Sequence, residues 1–327
     1  MNVTRYSPES PKKYIATIAI IFTANLLYLT LPFAGGFAYF GDSSRHIMFM
    51  AQGVDLFHCQ YLSFYLLWQV LVWLGMPTEA MLGIYPIMIH GLYVLGFIYL
   101  ARSLTENSSK QFSIILLSLI PLWGLSQVSI QPMVFGLSLL PLLLASIIRN
   151  RTKSSIALFL IIAFSHPVNI IYLITVLPLR IWLSVLLIPP VIYFALVPRV
   201  QLYMMEITES LKPAGYNYGL VMVAAMMFPM LAIISIGIYS AVRNWRTSKF
   251  LMPLALSLML AAVGLSGVFM VRDLARLFGF ASVFAIATIG QYEVKSLSYT
   301  IAGSSLILGY FYLLVRYSNI SYWYGGY

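Results

Sequence analysis

The stretch MLGIYPIMIHGLYVLGFIYL, residues 81–100, is apolar almost throughout and is followed at once by Ala101 and Arg102. A helix of roughly 20 apolar residues crosses about 30 Å of lipid hydrocarbon, where no water is available to pair with backbone amides. Similar runs recur along the chain, whose 327 residues are 61% hydrophobic and only 9% charged. Because these runs are continuous rather than alternating, they indicate helices rather than a transmembrane barrel. The sequence therefore predicts an all-α, polytopic integral membrane protein.

The apolar runs predict about ten or eleven transmembrane helices, which form a single transmembrane domain over residues 1–327. The clearest spans are residues 14–33, 81–100, 112–125, 133–148, 181–197, 219–242, 250–271, 277–292 and 297–315. Two outer loops are expected at residues 36–80 and 198–218. The polar N-terminus leads directly into the first run, which predicts a retained signal anchor. The single cysteine, Cys59, excludes an internal disulfide.

The net charge of +10 comes largely from Lys and Arg in short loops between the apolar runs. Such loops are typical of the cytoplasmic side of a membrane protein, so the charge does not indicate nucleic-acid binding. In the first half of the chain only Arg45 falls outside, provided that the aromatic residues 61–75 do not cross the membrane. If they crossed, Arg102, Lys110 and the cluster at residues 149–153 would move outside. We therefore expect residues 61–75 to form an interfacial helix in the first outer loop.

Two topologies are open after residue 153. Residues 154–179 contain Ser165, His166 and Pro167 at their middle, and form either one kinked helix or two short helices that meet at an outer turn. The downstream Lys and Arg residues divide evenly between the two sides of the membrane, so they do not decide. Residues 243–249 have the pattern of a tight cytoplasmic loop, which favours two short helices.

A short polar segment, Gly41-Asp42-Ser43-Ser44-Arg45-His46, follows the first apolar run. It brings an acid, a base and an imidazole to a membrane surface in a chain that has few charges elsewhere. Ionisable residues at such a position are costly unless they face water, a ligand or a lipid headgroup. The segment is therefore the best indication of function in the sequence.

The order of features after this segment resembles the GT-C superfamily of glycosyltransferases, which use polyprenyl-phosphate-linked sugars. The matching pieces, which cover roughly residues 36–150, are residues 41–46, Ala51-Gln52-Gly53, residues 59–67, Trp73-Leu74-Gly75 and Tyr99-Leu100-Ala101-Arg102, with a weaker echo at residues 275–278. Ser43 stands where the family usually has a second acid, and this leaves open whether a divalent metal is needed. No metal ligand is assigned, and the soluble C-terminal domain of many relatives is not expected.

Sugar transfer from a lipid phosphate needs a base for the acceptor hydroxyl, cations for the leaving phosphate and a groove for the lipid tail. We assign the base to Asp42, because a carboxylate within hydrogen-bond reach can take that proton. The alternative is that Asp42 caps a helix beginning at Ser43. Arg45 and His46, three and four residues on, share its helical face and are candidates to bind phosphate or acceptor. Arg45 has the alternative role of neutralising Asp42 and reaching lipid headgroups.

Phosphate binding is expected from Arg272 and Arg276, which are four residues apart on one helical face at a span end. Their guanidinium groups can hold a phosphate bidentately, and Lys212 in the second outer loop is a third candidate. The alternative is that the arginines contact headgroups and pair with Asp273. His166, at the expected outer turn, is a candidate for phosphate or sugar; its alternative role is to pair with a backbone carbonyl of a broken helix.

Three functions are consistent with these residues. The first is a glycosyltransferase that moves a sugar from a polyprenyl-linked donor to a glycan, lipid or protein acceptor, on the outer face of a bacterial or archaeal plasma membrane. The second is a polymerase of lipid-linked glycan repeats, of the O-antigen or capsule type. The third is a transporter or non-catalytic membrane subunit. The ionisable residues gather at the outer ends of spans rather than near the midplane, which disfavours a transporter. Membrane lipids are expected partners, and no cofactor is assigned beyond the open question of a metal.

Overall fold

A computed structural model describes residues 19, 59, 61–77, 80–118, 132–198, 220–263 and 271–290, with the backbone alone at residues 81–83, 86, 220–229, 263 and 271–277. Within these residues the protein is all-helical, with ten α-helices, two 3₁₀ helices and no strand. The all-α class is therefore confirmed for this part of the chain. The predicted spans at residues 14–33 and 297–315, and most of both predicted outer loops, lie outside it.

The α-helices are numbered here in chain order. They are α1 (Leu62–Trp73), α2 (Ala80–Leu104), α3 (Ser108–Ser118), α4 (Pro132–Ile148), α5 (Thr152–Ser165), α6 (Pro167–Ile174), α7 (Ile188–Leu196), α8 (Leu220–Arg243), α9 (Leu251–Val263) and α10 (Val271–Ile289). Two 3₁₀ helices, η1 (Leu177–Leu179) and η2 (Ile181–Leu187), lie between α6 and α7.

One described helix, α2, is both long and apolar enough to cross a membrane, over Ile87–Leu104. The other apolar helices of the described residues are 10 to 17 residues long in the parts that can be assessed. The polytopic arrangement therefore stays a prediction. Helix α1 has 12 residues and measures about 18 Å, which is shorter than a hydrocarbon layer of about 30 Å. This length agrees with an interfacial or re-entrant helix.

Helices α2 and α4 lie side by side and run in the same direction. Gly96 of α2 approaches Pro141 and Leu142 of α4 so closely that an added Cβ would lie 3.0 Å from the Pro141 side chain. Further along both helices, Arg149 Nε donates a hydrogen bond to Ser103 Oγ at 2.8 Å. Because both contacts lie at similar distances from the helix ends, α2 and α4 end at the same side of the bundle.

A tight turn after α4 reverses the chain into α5. Asn150 has a φ of 55°, in the left-handed region that asparagine tolerates better than most residues. The Arg151 amide donates to the Ser146 carbonyl at 2.9 Å, and the Asn150 amide donates to the Ile147 carbonyl at 3.1 Å. These two bonds form a Schellman motif, which pairs the last carbonyls of α4 and ends the helix.

The predicted break at His166 is confirmed. His166 has an extended backbone, with φ −164° and ψ 138°, between the end of α5 and the first residue of α6, Pro167. Proline suits the first turn of a helix because its missing amide would have no partner there. Ser165 Oγ accepts a hydrogen bond from Asn169 Nδ2 at 2.7 Å, and this pair packs against Gly136 of α4. The placement of the break on the outer side of a membrane stays a prediction.

Two prolines account for the 3₁₀ run that precedes α7. Pro189 and Pro190 have no amide to donate, and their rings crowd the carbonyls four residues earlier, at Val185 and Leu186. The seven residues of η2 accordingly wind as a 3₁₀ helix. This form rises about 2.0 Å per residue, so η2 and α7 together measure about 27 Å.

Helices α8 and α10 end on the same side as α2 and α4. Gly290, just after α10, lies against Ile114 of α3, which is less than two turns from the start of that helix. Gly237 of α8 lies against Ala285 of α10, and both glycine and alanine fall within two turns of their helix ends. The turn after α8 therefore lies on the same side of the bundle as the turn after α4.

Because of these helix directions, Lys and Arg side chains lie together at one end of the bundle, which we call the basic end. Its members are Arg102, Lys110, Arg149, Arg151, Lys153, Arg243, Arg246 and Lys249. The sequence divided the later cations evenly between two sides, whereas the structure groups residues 243–249 with the earlier cluster. This grouping agrees with the favoured two-helix topology.

The helix over the span expected at residues 277–292 runs from Val271 to Ile289, so Arg272 and Arg276 lie in the first turns of α10. Their helical placement agrees with the predicted face at a span end.

Replacing Gly136 with alanine is expected to destabilise the bundle. The added methyl group would collide with the Asn169 side chain and would lie 2.7 Å from Ser165 Oγ. Overpacking of this kind costs about 1–3 kcal/mol. Thermal unfolding of the purified protein in detergent measures the loss.

Gly91→Ala is the matched control, because a Cβ at Gly91 meets nothing within 4 Å. Alanine also favours a helix more than glycine does, so Gly91→Ala should keep or raise the Tm. Equal Tm values for the two variants would contradict the close packing at Gly136.

Candidate functional site

His166 caps the first turn of α6. Its Nδ1 accepts a hydrogen bond from the Val168 amide at 3.1 Å, and its carbonyl accepts one from the Asn169 amide at 2.9 Å. Because Pro167 has no amide, these two bonds pair the first donors of the helix. The His166 side chain is only 5% exposed. A cap of this kind requires a Nδ1 without a proton, hence a neutral imidazole.

Tyr61 joins the segment before α1 to the helix break. Its ring stacks on the imidazole of His166, with ring centroids 5.2 Å apart and 18° between the planes. Close by, Ser63 Oγ donates a hydrogen bond to the Ile161 carbonyl at 2.6 Å, which fastens α1 to α5. The predicted first outer loop is thus held against His166 where it enters α1.

Tyr193 of α7 holds the same segment from another side. Its hydroxyl donates a hydrogen bond to the Cys59 carbonyl at 2.8 Å. Its ring meets the ring of Phe164 edge-on, with centroids 5.6 Å apart. Cys59 and Tyr61 are therefore each held by a different helix next to the break.

Buried aromatic rings of α1 make this arrangement rigid. Phe64 and Trp68 are fully buried. Phe64 meets Tyr85 of α2 edge-on at 5.8 Å and Phe135 of α4 at 5.9 Å. Aromatic pairs of this geometry contribute about 0.5–1.5 kcal/mol beyond the area they bury. Helix α1 is therefore a packed element of the bundle, and Tyr61 stands immediately before it.

Phe280 relates the two candidate arginines to the break. It stacks on Tyr172 of α6, with centroids 3.9 Å apart and 20° between the ring planes. Arg272, Arg276 and Phe280 follow one another at intervals of four, so their Cα atoms lie along one side of α10. That side faces α6 at Phe280. The helix positions of both arginines are therefore on the side of α10 that faces α6. They lie at the end of the bundle opposite the basic end, and His166 lies at that same end.

The other predicted site residues are Asp42, Arg45, His46 and Lys212, and they lie outside the described residues. Of seven predicted residues, the structure therefore relates three, His166, Arg272 and Arg276, to one another. Within the described part of the chain no group of three His, Cys, Asp or Glu side chains is arranged to hold a metal ion.

Asn169 and Tyr61 belong to the site although the sequence analysis did not select them. Asn169 is fully buried, and its Oδ1 has no hydrogen-bond partner among the described residues. The sequence pattern that could have identified Asn169 is an asparagine within an apolar run, three residues after His166. Tyr61 carried no comparable signal, because its contact with His166 joins residues far apart in the sequence.

Compared with known proteins, the chain matches no protein-family model, no curated protein and no solved structure. The resemblance to GT-C glycosyltransferases therefore rests on the motifs of the chain itself.

Two substitutions separate the capping role of His166 from other roles. His166→Asn keeps a side-chain acceptor at the cap and should stay close to wild-type stability, since asparagine is a strong N-cap. His166→Leu removes the acceptor and should lose about 1 kcal/mol. Thermal unfolding compares the two variants. Equal destabilisation by Asn and Leu would show that the ring stack with Tyr61, and not the cap, stabilises the break.

Proposed function

We propose that this protein is a polytopic membrane glycosyltransferase that moves a sugar from a polyprenyl-phosphate donor to an acceptor hydroxyl on the outer face. One observation carries the proposal. Tyr61 from the predicted outer loop, His166 at the helix break and the helix positions of Arg272 and Arg276 gather at the end of the bundle opposite the basic end. A site of this kind suits a lipid phosphate that is held at one membrane surface.

Outward-facing apolar side chains support residence in a membrane. Along η2 and α7 five of them are 53–74% exposed, namely Ile181, Val185, Ile188, Ile192 and Leu196. A contiguous exposed apolar surface is unfavourable in water and marks contact with lipid or with another apolar partner.

Aromatic and basic residues lie where such a surface would meet the headgroups. Trp245 is 62% exposed at the basic end, and the Arg246 guanidinium lies 5.2 Å from the centre of its ring. Trp residues concentrate at membrane interfaces, and Lys and Arg concentrate on the cytoplasmic side. Both features support an orientation with the basic end in the cytoplasm and the break at the outer side.

The reaction assigns one role to each predicted residue. Asp42 takes the proton from the acceptor hydroxyl, whose oxygen forms a bond to the anomeric carbon of the sugar. The bond from that carbon to the phosphate oxygen breaks, and polyprenyl phosphate leaves with the electron pair. Arg272 and Arg276, with Lys212, stabilise the charge on the leaving phosphate. Arg45 and His46 bind phosphate or acceptor beside Asp42.

Asp42→Asn is expected to abolish transfer and to leave the fold intact. Asparagine caps a helix about as well as aspartate does, but it cannot accept a proton at neutral pH. A general base contributes at least about a hundredfold to the rate. The measurement is sugar transfer from a polyprenyl-phosphate donor in membranes with matched expression. Asp55→Asn removes another acid of the same predicted loop and serves as the control; full activity of Asp42→Asn would exclude it as the base.

Arg272→Lys and Arg276→Lys are each expected to raise the donor KM about tenfold, because lysine keeps the charge but loses the bidentate fork. Arg246→Lys, at the basic end, is the control and should leave the donor KM unchanged. Normal donor use in both arginine variants, together with an active Asp42→Asn enzyme, would favour a non-catalytic membrane subunit.

A further inference from the structure

Helices α2, α4 and α5 bring four cations together at the basic end, at a place that we call the basic junction. Its members are Arg102, Arg149, Arg151 and Lys153, and all four side chains are exposed. Within the described part of the chain none of them forms an ion pair. The first turn of α5, which begins inside the junction, contains no acidic residue. Glu106, an exposed acid four residues after Arg102, lies at the same end, but it forms no ion pair with the four cations, which outnumber it.

Arg149 is ordered before any ligand arrives. Its Nε donates a hydrogen bond to Ser103 Oγ at 2.8 Å, and that hydroxyl donates in turn to the Tyr99 carbonyl at 2.6 Å. The guanidinium group has five donors, of which this contact uses one. The hydrogen bond therefore holds the Arg149 guanidinium at the seam between α2 and α4. Its terminal nitrogens keep N–H groups that can donate to an anionic oxygen.

An apolar stripe runs along α2 to the same place. Ile84, Ile87, Leu95 and Tyr99 are 36–44% exposed, and their spacing of three, four or eight residues puts them on one side of the helix, ending at Arg102. From Ile84 to Arg102 the helix rises about 27 Å, close to the thickness of a hydrocarbon layer. The basic junction therefore lies at the end of a long apolar surface.

We propose that the basic junction binds the phosphate of an anionic phospholipid whose acyl chain lies along the α2 stripe. The combination of charge and apolar length points to a lipid, because an acidic peptide or a nucleic acid would leave the stripe uncovered. This inference rests on the membrane residence in the proposed function and not on the transfer reaction, whose described residues lie at the opposite end. Each cation near such a headgroup strengthens binding about fivefold.

The test uses the full-length protein in detergent, titrated with phosphatidylglycerol or phosphatidylcholine and observed by native mass spectrometry. Arg149→Gln with Arg151→Gln should weaken phosphatidylglycerol binding about 25-fold and leave phosphatidylcholine binding unchanged. Arg246→Gln with Lys249→Gln removes the same charge elsewhere on the basic end and should have little effect. Equal losses in the two double variants, or no loss in either, would overturn the assignment to the junction.

A second pair of measurements tests the lipid part of the proposal. Leu95→Gln should weaken binding of long-chain phosphatidylglycerol several-fold and spare the water-soluble headgroup, glycerol phosphate. Inorganic phosphate should compete only weakly, since it makes no use of the stripe. Competition by inorganic phosphate as strong as that by the lipid would replace the lipid site with a simple anion site.

Lipid binding and sugar transfer test this inference and the proposed function separately. Sugar transfer by the Arg149→Gln, Arg151→Gln variant should equal that of the wild type when both are assayed in phosphatidylcholine. A wild-type protein that transfers sugar but shows no preference for phosphatidylglycerol would overturn this inference alone. A wild-type protein with that preference and no transferase activity would support the lipid site and contradict the glycosyltransferase.

Discussion

An unpaired backbone amide inside an apolar bundle is too costly to keep, and this constraint governs the junction of α5 and α6. The helix can be interrupted there because residues at the break form hydrogen bonds with the backbone groups that the interruption leaves unpaired. Ser165 Oγ donates to the Ile162 carbonyl at 2.7 Å, the His166 ring accepts from the Val168 amide, and Pro167 has no amide to pair. The break is therefore a stable element of the bundle, and the site is assembled around it.

Three neighbouring parts of the protein take their positions from this break. Gly136 lets α4 approach the buried pair of Ser165 and Asn169 without a side chain between them. Tyr61 stacks on His166 and so sets where the predicted outer loop enters α1. The short helix α6 then meets α10 through the stacked rings of Tyr172 and Phe280. Loss of the break would separate all three.

The two ends of the bundle differ in chemistry. The basic end carries exposed cations on several turns, with aromatic side chains such as Trp245 among them. The other end carries neutral polar and aromatic groups around His166, and the helix positions of Arg272, Asp273 and Arg276 add charge there. This division is what a protein held in a bilayer needs, because charges that stay at the headgroups avoid the cost of desolvation. It also suits the two partners that we propose, a reactive lipid phosphate at one end and a structural phospholipid at the other.

The sequence by itself determined the helical class, most helix positions and the break at His166, since apolar run length, proline and capping residues act within a few turns of the chain. It placed a span at residues 277–292, whereas α10 runs from Val271 to Ile289, because an apolar count leaves out the polar turns of a helix. It favoured the cytoplasmic side for residues 243–249 only from the pattern of that loop, because charge counts in later loops were balanced. Only the tertiary structure decided that question, along with the neighbours of His166. Contacts such as Tyr61 with His166, or Arg149 with Ser103, join residues distant in sequence and depend on how whole helices pack.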